Sequence, residues 1–290
     1  NCMSNIKLSI CVNFVLQIIW IRKVFHFLLL CTSCDTKYVI THIHYMVVEQ
    51  QEHCSASHTY LFRHFCAGSL WHDFSEEARQ HYIQKLTSVC ALSKMFDAES
   101  KVLHLNYRSH ENIFCETFSM ENLASRDLSF DCIANMNGRN VGVGLKTFSD
   151  GYPAQKIAEF NTMSHLFHGK DDEELVLAVA LLRNERMMGD IKELGVDRAI
   201  YHTIVRGNTT LHIFEEPYEL IDIGRLKITG KNKSTVFFED GKACYSFRKT
   251  KNTLFKRFFT SNDRWYQQTQ INVNVVDDPF QIIDKVLQTI

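Results

Sequence analysis

Hydrophobic and polar positions repeat with a helical period in four stretches of this chain. Residues 75–96 carry apolar positions at roughly helical spacing after an acidic first turn, which predicts a helix. Residues 106–123 and 171–188 have the same pattern, the latter behind a run of acidic residues. We predict a further helix over residues 154–164, directly after a turn at residues 150–153.

Other stretches follow the two-residue period of strands. Residues 129–134 and 141–148 flank the dipeptide Asn137-Gly138, which is a strong hairpin signal. More strands are predicted over residues 199–206, 210–215 and 225–247. The order of helices and strands predicts a mixed α/β or α+β fold, with an antiparallel-rich central sheet flanked by helices.

The beginning of the chain differs from the rest. Residues 8–31 are largely apolar, but Arg22 and Lys23 interrupt them near the middle, so a clean transmembrane helix is not favoured. A buried pair of apolar helices is one alternative; a protein that starts near Met46 is the one we favour. The predicted organisation is an apolar leader outside the functional argument, a helical N-terminal part and a core, over residues 1–45, 46–104 and 105–290.

Composition narrows the class of protein. Hydrophobic residues make up 45% of the chain and charged residues 22%, as in ordinary globular proteins. Ten cysteines at irregular spacing, without a cleavable secretory signal, indicate reduced thiols in a cytoplasmic protein. Zinc-ligand residue types occur at Cys31, Cys34, His42 and His44. The cysteine pair directly follows the apolar run, and histidines two residues apart share a face only on a strand, so we do not favour structural zinc.

Charge is distributed unevenly. The formal net charge is −1, so any nucleic-acid surface must be a local patch. Residues 241–265 contain seven cations and one acid, interleaved with aromatic residues. Either this region faces DNA, or it is a solvated basic face over an aromatic core. The predicted phosphate contacts are Lys249, Lys251, Lys256 and Arg257.

Two arginines give a second candidate contact with phosphate. Arg183 and Arg186 are three residues apart on the predicted helix over residues 171–188, so they share a face. They are able to clamp a phosphate or to pair with nearby acids.

The predicted hairpin carries the strongest chemical signal. Asp131 lies on its first strand and Lys146 on its second, while Gly142 and Gly144 share a face with Lys146. Glycines inside a strand mark the close approach of a ligand or of a packed element such as a helix. A carboxylate that holds Mg²⁺ beside a lysine that stabilises negative charge is the equipment of metal-dependent phosphodiester cleavage.

These residues resemble the PD-(D/E)xK nuclease superfamily, more specifically the type II restriction endonucleases. The resemblance covers roughly residues 105–260. Asp131 matches the first acid, although Phe130 stands where the motif has proline, and Lys146 matches the lysine. Gly144 occupies the place of the second carboxylate. Glu159, on the predicted helix, matches an arrangement in which that carboxylate has moved beyond the lysine strand.

The resemblance implies a Mg²⁺-dependent endonuclease acting on double-stranded DNA. Asp131 and Glu159 are then the metal ligands, with Glu116 as an additional candidate, and Lys146 stabilises the transition state or positions water. A homodimer and a partner DNA methyltransferase are implied as well, whereas a membrane partner is not expected. The competing hypothesis, motivated by Gly144, is a non-catalytic DNA-binding protein that descends from a nuclease.

Overall fold

Residues 69–99, 101–258 and 266–289 are described by the computed structural model, and all of them belong to the unit Phe62–Ile290. The predictions for the apolar leader and for its cysteines and histidines therefore lie outside the described residues. Within these ranges, none of the helices combines the length and the apolar content that crossing a membrane requires.

The first two helices begin at polar caps and end earlier than predicted. Helix α1 spans Glu76–Ala91, with the Ser75 hydroxyl accepting a hydrogen bond from Ala78 N. It stops at Leu92, so the prediction of one helix over residues 75–96 was too long. Helix α2 spans Tyr107–Phe118 behind an Asn106 cap. Its end at Ser119, in the left-handed conformation with φ 53°, corrects the predicted end at residue 123.

The long acidic helix is confirmed. Helix α3 spans Asp172–Leu194, capped by Asp171 and ended by Gly195 at φ 61°. Helix α4, Pro279–Leu287, was not predicted. Short 3-10 helices lie at Trp71–Asp73, Ser93–Met95, Asn161–Phe167, Ile223–Arg225 and Lys249–Lys251.

Six strands form the first sheet, in the order β1-β2-β3-β5-β6-β11. They span Glu121–Asn122, Cys132–Met136, Arg139–Ser149, Arg198–Arg206, Thr210–Pro217 and Tyr266–Asn272. β3 and β5 are parallel, joined by the crossover that contains α3, and the other pairs are antiparallel. The β2–β3 turn is the predicted Asn137-Gly138, at φ 53° and 78°.

Five strands form the second sheet, in the order β4-β10-β9-β8-β7. β4, β7, β8, β9 and β10 span Ala154–Glu159, Lys227–Lys231, Thr235–Glu239, Cys244–Arg248 and Thr253–Arg257. The predicted helix over residues 154–164 was wrong, because its first part is β4 and its second part is 3-10. The Ala-Gln-Lys-Ile-Ala-Glu composition favours a helix locally, but antiparallel pairing with β10 overrides that preference.

Helices cover both faces of the first sheet, which confirms the mixed, antiparallel-rich fold class. Buried residues of α1 and α2 pack against one face, with Tyr82, Phe114 and Val143 in a shared core. Met187, near the C-terminal end of α3, packs in the core on the other face. The N-terminal half of α3 instead packs against the second sheet. The four cysteines among the described residues are Cys90, Cys115, Cys132 and Cys244, and none of them is in a disulfide.

Candidate active site

Asp131 and Lys146 meet on one face of the β2–β3 hairpin. Asp131 directly precedes Cys132, which pairs with Val143, so its side chain lies beside Gly144. One carboxylate oxygen, Oδ2, accepts hydrogen bonds from Leu145 N at 2.7 Å and from Lys146 Nζ at 3.3 Å. The two side chains are 26% and 21% exposed, so they are supported by the core and still open to a ligand.

The charge of Lys146 is maintained by its neighbours. Burial acts to lower its pKa, but Asp131, Tyr218 and Glu111 together hold the pKa above its ordinary value. Nζ also donates to the carbonyl oxygen of Leu145 at 3.0 Å, which orients the ammonium. The site therefore contains a protonated, positioned cation at neutral pH.

Aromatic rings explain the glycines of β3. A Cβ at Gly144 would lie 2.8 Å from the Tyr201 ring and 2.9 Å from the Tyr218 ring. At Gly142 it would lie 2.8 Å from the Phe130 ring. The predicted shared face with Lys146 is confirmed, but the close neighbour is an aromatic cluster rather than a packed helix. A carboxylate at position 144 would have to displace two tyrosines, which accounts physically for its absence.

Glu159 reaches the site from the second sheet. It is the last residue of β4 and pairs with Thr253 of β10, so it lies on a strand and not on the predicted helix. Its carboxylate accepts from Lys156 Nζ at 2.9 Å and from the Asn161 side-chain amide. The bond to Lys156 is the main reason why the pKa of Glu159 is lowered, so the group is ionised.

One cavity of about 210 Å³, called the first cavity below, contains all three residues of the predicted site. Its charged lining consists of Asp127, Asp131, Lys146, Lys156, Glu159, Arg183 and Arg186. Three ion pairs occur among these groups: Lys146 with Asp131, Lys156 with Glu159, and Arg186 with Asp127 at 2.5 Å. The two arginines predicted to share a helix face thus line the cavity together, and Arg186 pairs with Asp127, an acid that is distant in the sequence rather than nearby on the helix.

Glu111, rather than Glu116, is the α2 carboxylate near the hairpin. Glu116 is exposed and pairs with Lys85 at 2.8 Å, and it does not line the first cavity. Glu111 is buried and accepts from Arg108 at 2.9 Å. Burial raises the pKa of Glu111, and the negative charge of the Asp131 carboxylate raises it further. A sequence signal existed, because Glu111 shares a helical face with Phe114 and Cys115 of the buried core.

The basic region is less available to phosphate than predicted. Lys249 donates to Asp172 at 2.6 Å, while Lys251 and Arg257 are exposed. Lys256 is only 11% exposed and forms an ion pair with Glu216. Its ammonium also lies 5.0 Å from the Tyr201 ring centre, so Lys256 is held inside the fold rather than exposed on the protein surface. Residues 259–265 of this region lie outside the described residues.

The donors around the hairpin suit a hard divalent cation. In the part of the chain that the structure describes, no three His, Cys, Asp or Glu side chains are grouped so that they form a metal site. Mg²⁺, however, is commonly bound through one or two carboxylates, with waters and substrate phosphates completing its coordination. Asp131 and Glu159 offer such a pair in one cavity, with Glu111 beside Asp131.

Comparisons with models of protein families, with curated proteins and with solved structures found no match to this chain. The chemistry of the first cavity therefore has to be inferred from its own side chains.

Proposed function

We propose that this protein is a Mg²⁺-dependent endonuclease that hydrolyses phosphodiester bonds in double-stranded DNA. One observation carries the proposal: Asp131, Lys146 and Glu159, chosen from the sequence for this chemistry, line a single cavity although they come from two different sheets. The cavity also contains Arg183, Arg186 and Lys156, cations suited to a polyanionic substrate.

Each protein group has a distinct role in this proposal. Asp131 and Glu159 would hold the metal, which when bound supplies a Lewis acid for the phosphate and lowers the pKa of a water. Lys146, held by Asp131 and the Leu145 carbonyl, stabilises the negative charge that develops on the phosphate. Arg186 and Lys156 attract and orient the strand.

A plasmid-cleavage assay tests the proposal. The wild type is expected to nick or linearise DNA with Mg²⁺ and to be inactive in EDTA. Lys146→Ala should lower the rate by about 10²- to 10³-fold, the usual cost of losing one group that stabilises transition-state charge. Lys227→Ala is the matched control, since Lys227 pairs with Glu239 on the second sheet and does not line this cavity. Cleavage by Lys146→Ala at the wild-type rate would refute the assignment.

A non-catalytic DNA-binding protein is the second candidate. The tyrosine rings that exclude a side chain at Gly144 favour it, because the usual second carboxylate cannot be accommodated there. It predicts binding to duplex DNA in EDTA with strong salt dependence, and no cleavage with Mg²⁺ or Mn²⁺. A DNA-binding assay in EDTA and a cleavage assay with Mg²⁺, made on the same protein preparation, therefore distinguish the two functions.

A further inference from the structure

Two cavities meet at Arg183. The first cavity lies on the hairpin side, and a second cavity of about 350 Å³ lies between β5–β6 of the first sheet and β4, β9 and β10 of the second. Ile157 and Arg183 line both of them. The second cavity is also lined by Tyr201, Glu216 and Tyr245. Ile157 and Arg183 therefore lie where the two cavities adjoin.

Arg183 is the exception in the charge pattern of the two cavities. In the second cavity Lys256 pairs with Glu216, and Lys242 lies 3.5 Å from Glu219. The three cations other than Arg183 in the first cavity are paired as well. Arg183 is 4% exposed, and among the described residues it has no carboxylate at ion-pair distance.

The remaining contacts of Arg183 are weak. Nη1 donates one long hydrogen bond, 3.4 Å, to Asn184 Oδ1, and the guanidinium lies 5.2 Å from the Tyr218 ring centre. A buried charge without a counter-charge is costly in the folded state, and such charges normally have partners. A guanidinium has five donors in a planar fork that matches phosphate oxygens. The Arg183 guanidinium therefore has donors available to a ligand in the two cavities that it lines.

Tyr201 supplies a second unused donor. The side chain is 1% exposed, and its hydroxyl has no hydrogen-bond partner among the described residues. The stacked Tyr218 gives its own proton to the Ser129 carbonyl at 2.8 Å. Tyr201 and Arg183 line the same cavity. Burial and Tyr218 raise the pKa of Tyr201, and Arg183 opposes them. The phenol is therefore neutral and able to donate to an anion.

We infer that Arg183 and the Tyr201 hydroxyl bind the DNA phosphate next to the scissile one, at the wall between the two cavities. The inference rests on the proposed nuclease function and extends it to a second phosphate position. The cavity charges other than Arg183 neutralise one another, so the surplus is a single positive charge. A phosphodiester carries a single negative charge and matches it better than the dianion of a terminal phosphate.

The test measures DNA binding in EDTA by fluorescence anisotropy, together with Mg²⁺-dependent cleavage. Tyr201→Phe removes only an unpartnered oxygen and keeps the ring, so it remains informative if Arg183→Met fails to fold. We expect each variant to bind the duplex about 10- to 100-fold more weakly, as for the loss of a hydrogen bond to a charged group. Tyr152→Phe is the matched control, since Tyr152 is exposed and lines neither cavity.

A phosphate-by-phosphate substitution locates the contact. In a series of duplexes, one phosphate at a time near the cleavage site is replaced by a neutral methylphosphonate. The wild type should similarly lose about 10- to 100-fold in affinity when the phosphate next to the scissile one is replaced. The loss at that position should be smaller in Tyr201→Phe, which keeps only the Arg183 contact, while other positions keep their full effect. Additive losses, or variants that bind as the wild type does, would overturn the inference.

Two further outcomes distinguish a failure of the second phosphate site from a failure of the proposed nuclease function. If Lys146→Ala abolishes cleavage but the Arg183 and Tyr201 variants bind normally, only the second phosphate site is wrong. If the wild type neither binds nor cleaves DNA, both the inference and the proposed function fail. Titration with deoxyadenosine monophosphate covers a free nucleotide as the source of phosphate. Saturable binding that Tyr201→Phe removes, without any methylphosphonate effect, would assign the cavity to free nucleotide and overturn the DNA assignment.

Discussion

The two halves of the candidate site are held in different ways. Asp131 directly precedes β2 and Lys146 lies on β3, and the register of these adjacent interior strands is determined by a two-residue turn. Glu159 lies on β4, an edge strand of the second sheet, and its carboxylate is 39% exposed. The first half is supported by the core, whereas the second depends on how the two sheets meet across the first cavity. The comparison predicts that the halves respond differently to substitution.

The largest effects should separate the two carboxylates. Asp131→Asn removes a proposed metal ligand and the partner of Lys146 together, so we expect a single-turnover cleavage rate about 10³-fold lower. Glu159→Gln removes a proposed ligand and the partner of Lys156, a cation that only attracts and orients the strand, so about 10²-fold is expected. The control is Glu239→Gln, a carboxylate paired with Lys227 outside the cavity. If Glu159→Gln cleaves DNA at the wild-type rate, Glu159 and strand β4 do not belong to the active site.

Packing under the hairpin provides the next test. Gly144→Ala places a methyl group against the Tyr201 and Tyr218 rings, so we expect it to lower the free energy of unfolding by about 1–3 kcal/mol. Gly151→Ala, where no atom lies within 4 Å of the new Cβ, should be close to neutral. Urea denaturation measures both variants. Equal stabilities would mean that the aromatic cluster is not closely packed on β3.

Two carboxylates of α2, Glu111 and Glu116, test which acid influences Asp131 and Lys146. Glu111→Gln should lower the cleavage rate about tenfold, because Glu111 contributes to the charge around Asp131 and Lys146. Glu116→Gln, on the same helix but paired with Lys85, should leave the rate unchanged. Cleavage rates measured at several Mg²⁺ concentrations check this prediction. A larger loss for Glu116→Gln than for Glu111→Gln would instead support Glu116 as the additional metal ligand, as predicted from the sequence.

The smallest effect concerns the polar network beneath α2. His110 shares the buried Tyr82 hydroxyl with His202, and His202 contacts Glu215 at 3.0 Å. Burial, followed by His202 and Lys146, holds the pKa of His110 well below its ordinary value.

Folded His110 is therefore neutral, while the unfolded chain gains a proton as the pH falls below about 6.5. The stability it contributes is present above that pH and is lost as the pH falls, by up to about 1.4 kcal/mol per pH unit. Urea midpoints between pH 7.5 and 5.5 should decline less steeply in His110→Gln, whereas exposed His72→Gln should retain the wild-type slope. Parallel curves for the wild type and His110→Gln would contradict this description.

Local sequence patterns predicted the hairpin half well. Asn137-Gly138 determines the turn, and the two-residue period correctly puts Gly142, Gly144 and Lys146 on one face. The start of α3 was predictable for a similar reason, because its Asp171 cap and acidic first turn are local signals.

Long-range pairing explains what could not be predicted. β4 contains good helix formers, and only its pairing with β10, about 100 residues later, makes it a strand. Lys256 was predicted to contact DNA phosphate, but it forms a largely buried ion pair with Glu216, which lies on the other sheet. Neither interaction has a signature within a short window of sequence.

A crystal structure with Mn²⁺ in place of Mg²⁺, located by its anomalous scattering, tests the proposed metal site directly. One ion is expected in the first cavity, with oxygen atoms of both Asp131 and Glu159 at about 2.1 Å, the length expected for such bonds. The two carboxyl groups should then lie within about 6 Å of each other, since one ion has to reach both. An ion bound by Asp131 alone, or a separation beyond about 10 Å, would contradict a site assembled from both sheets.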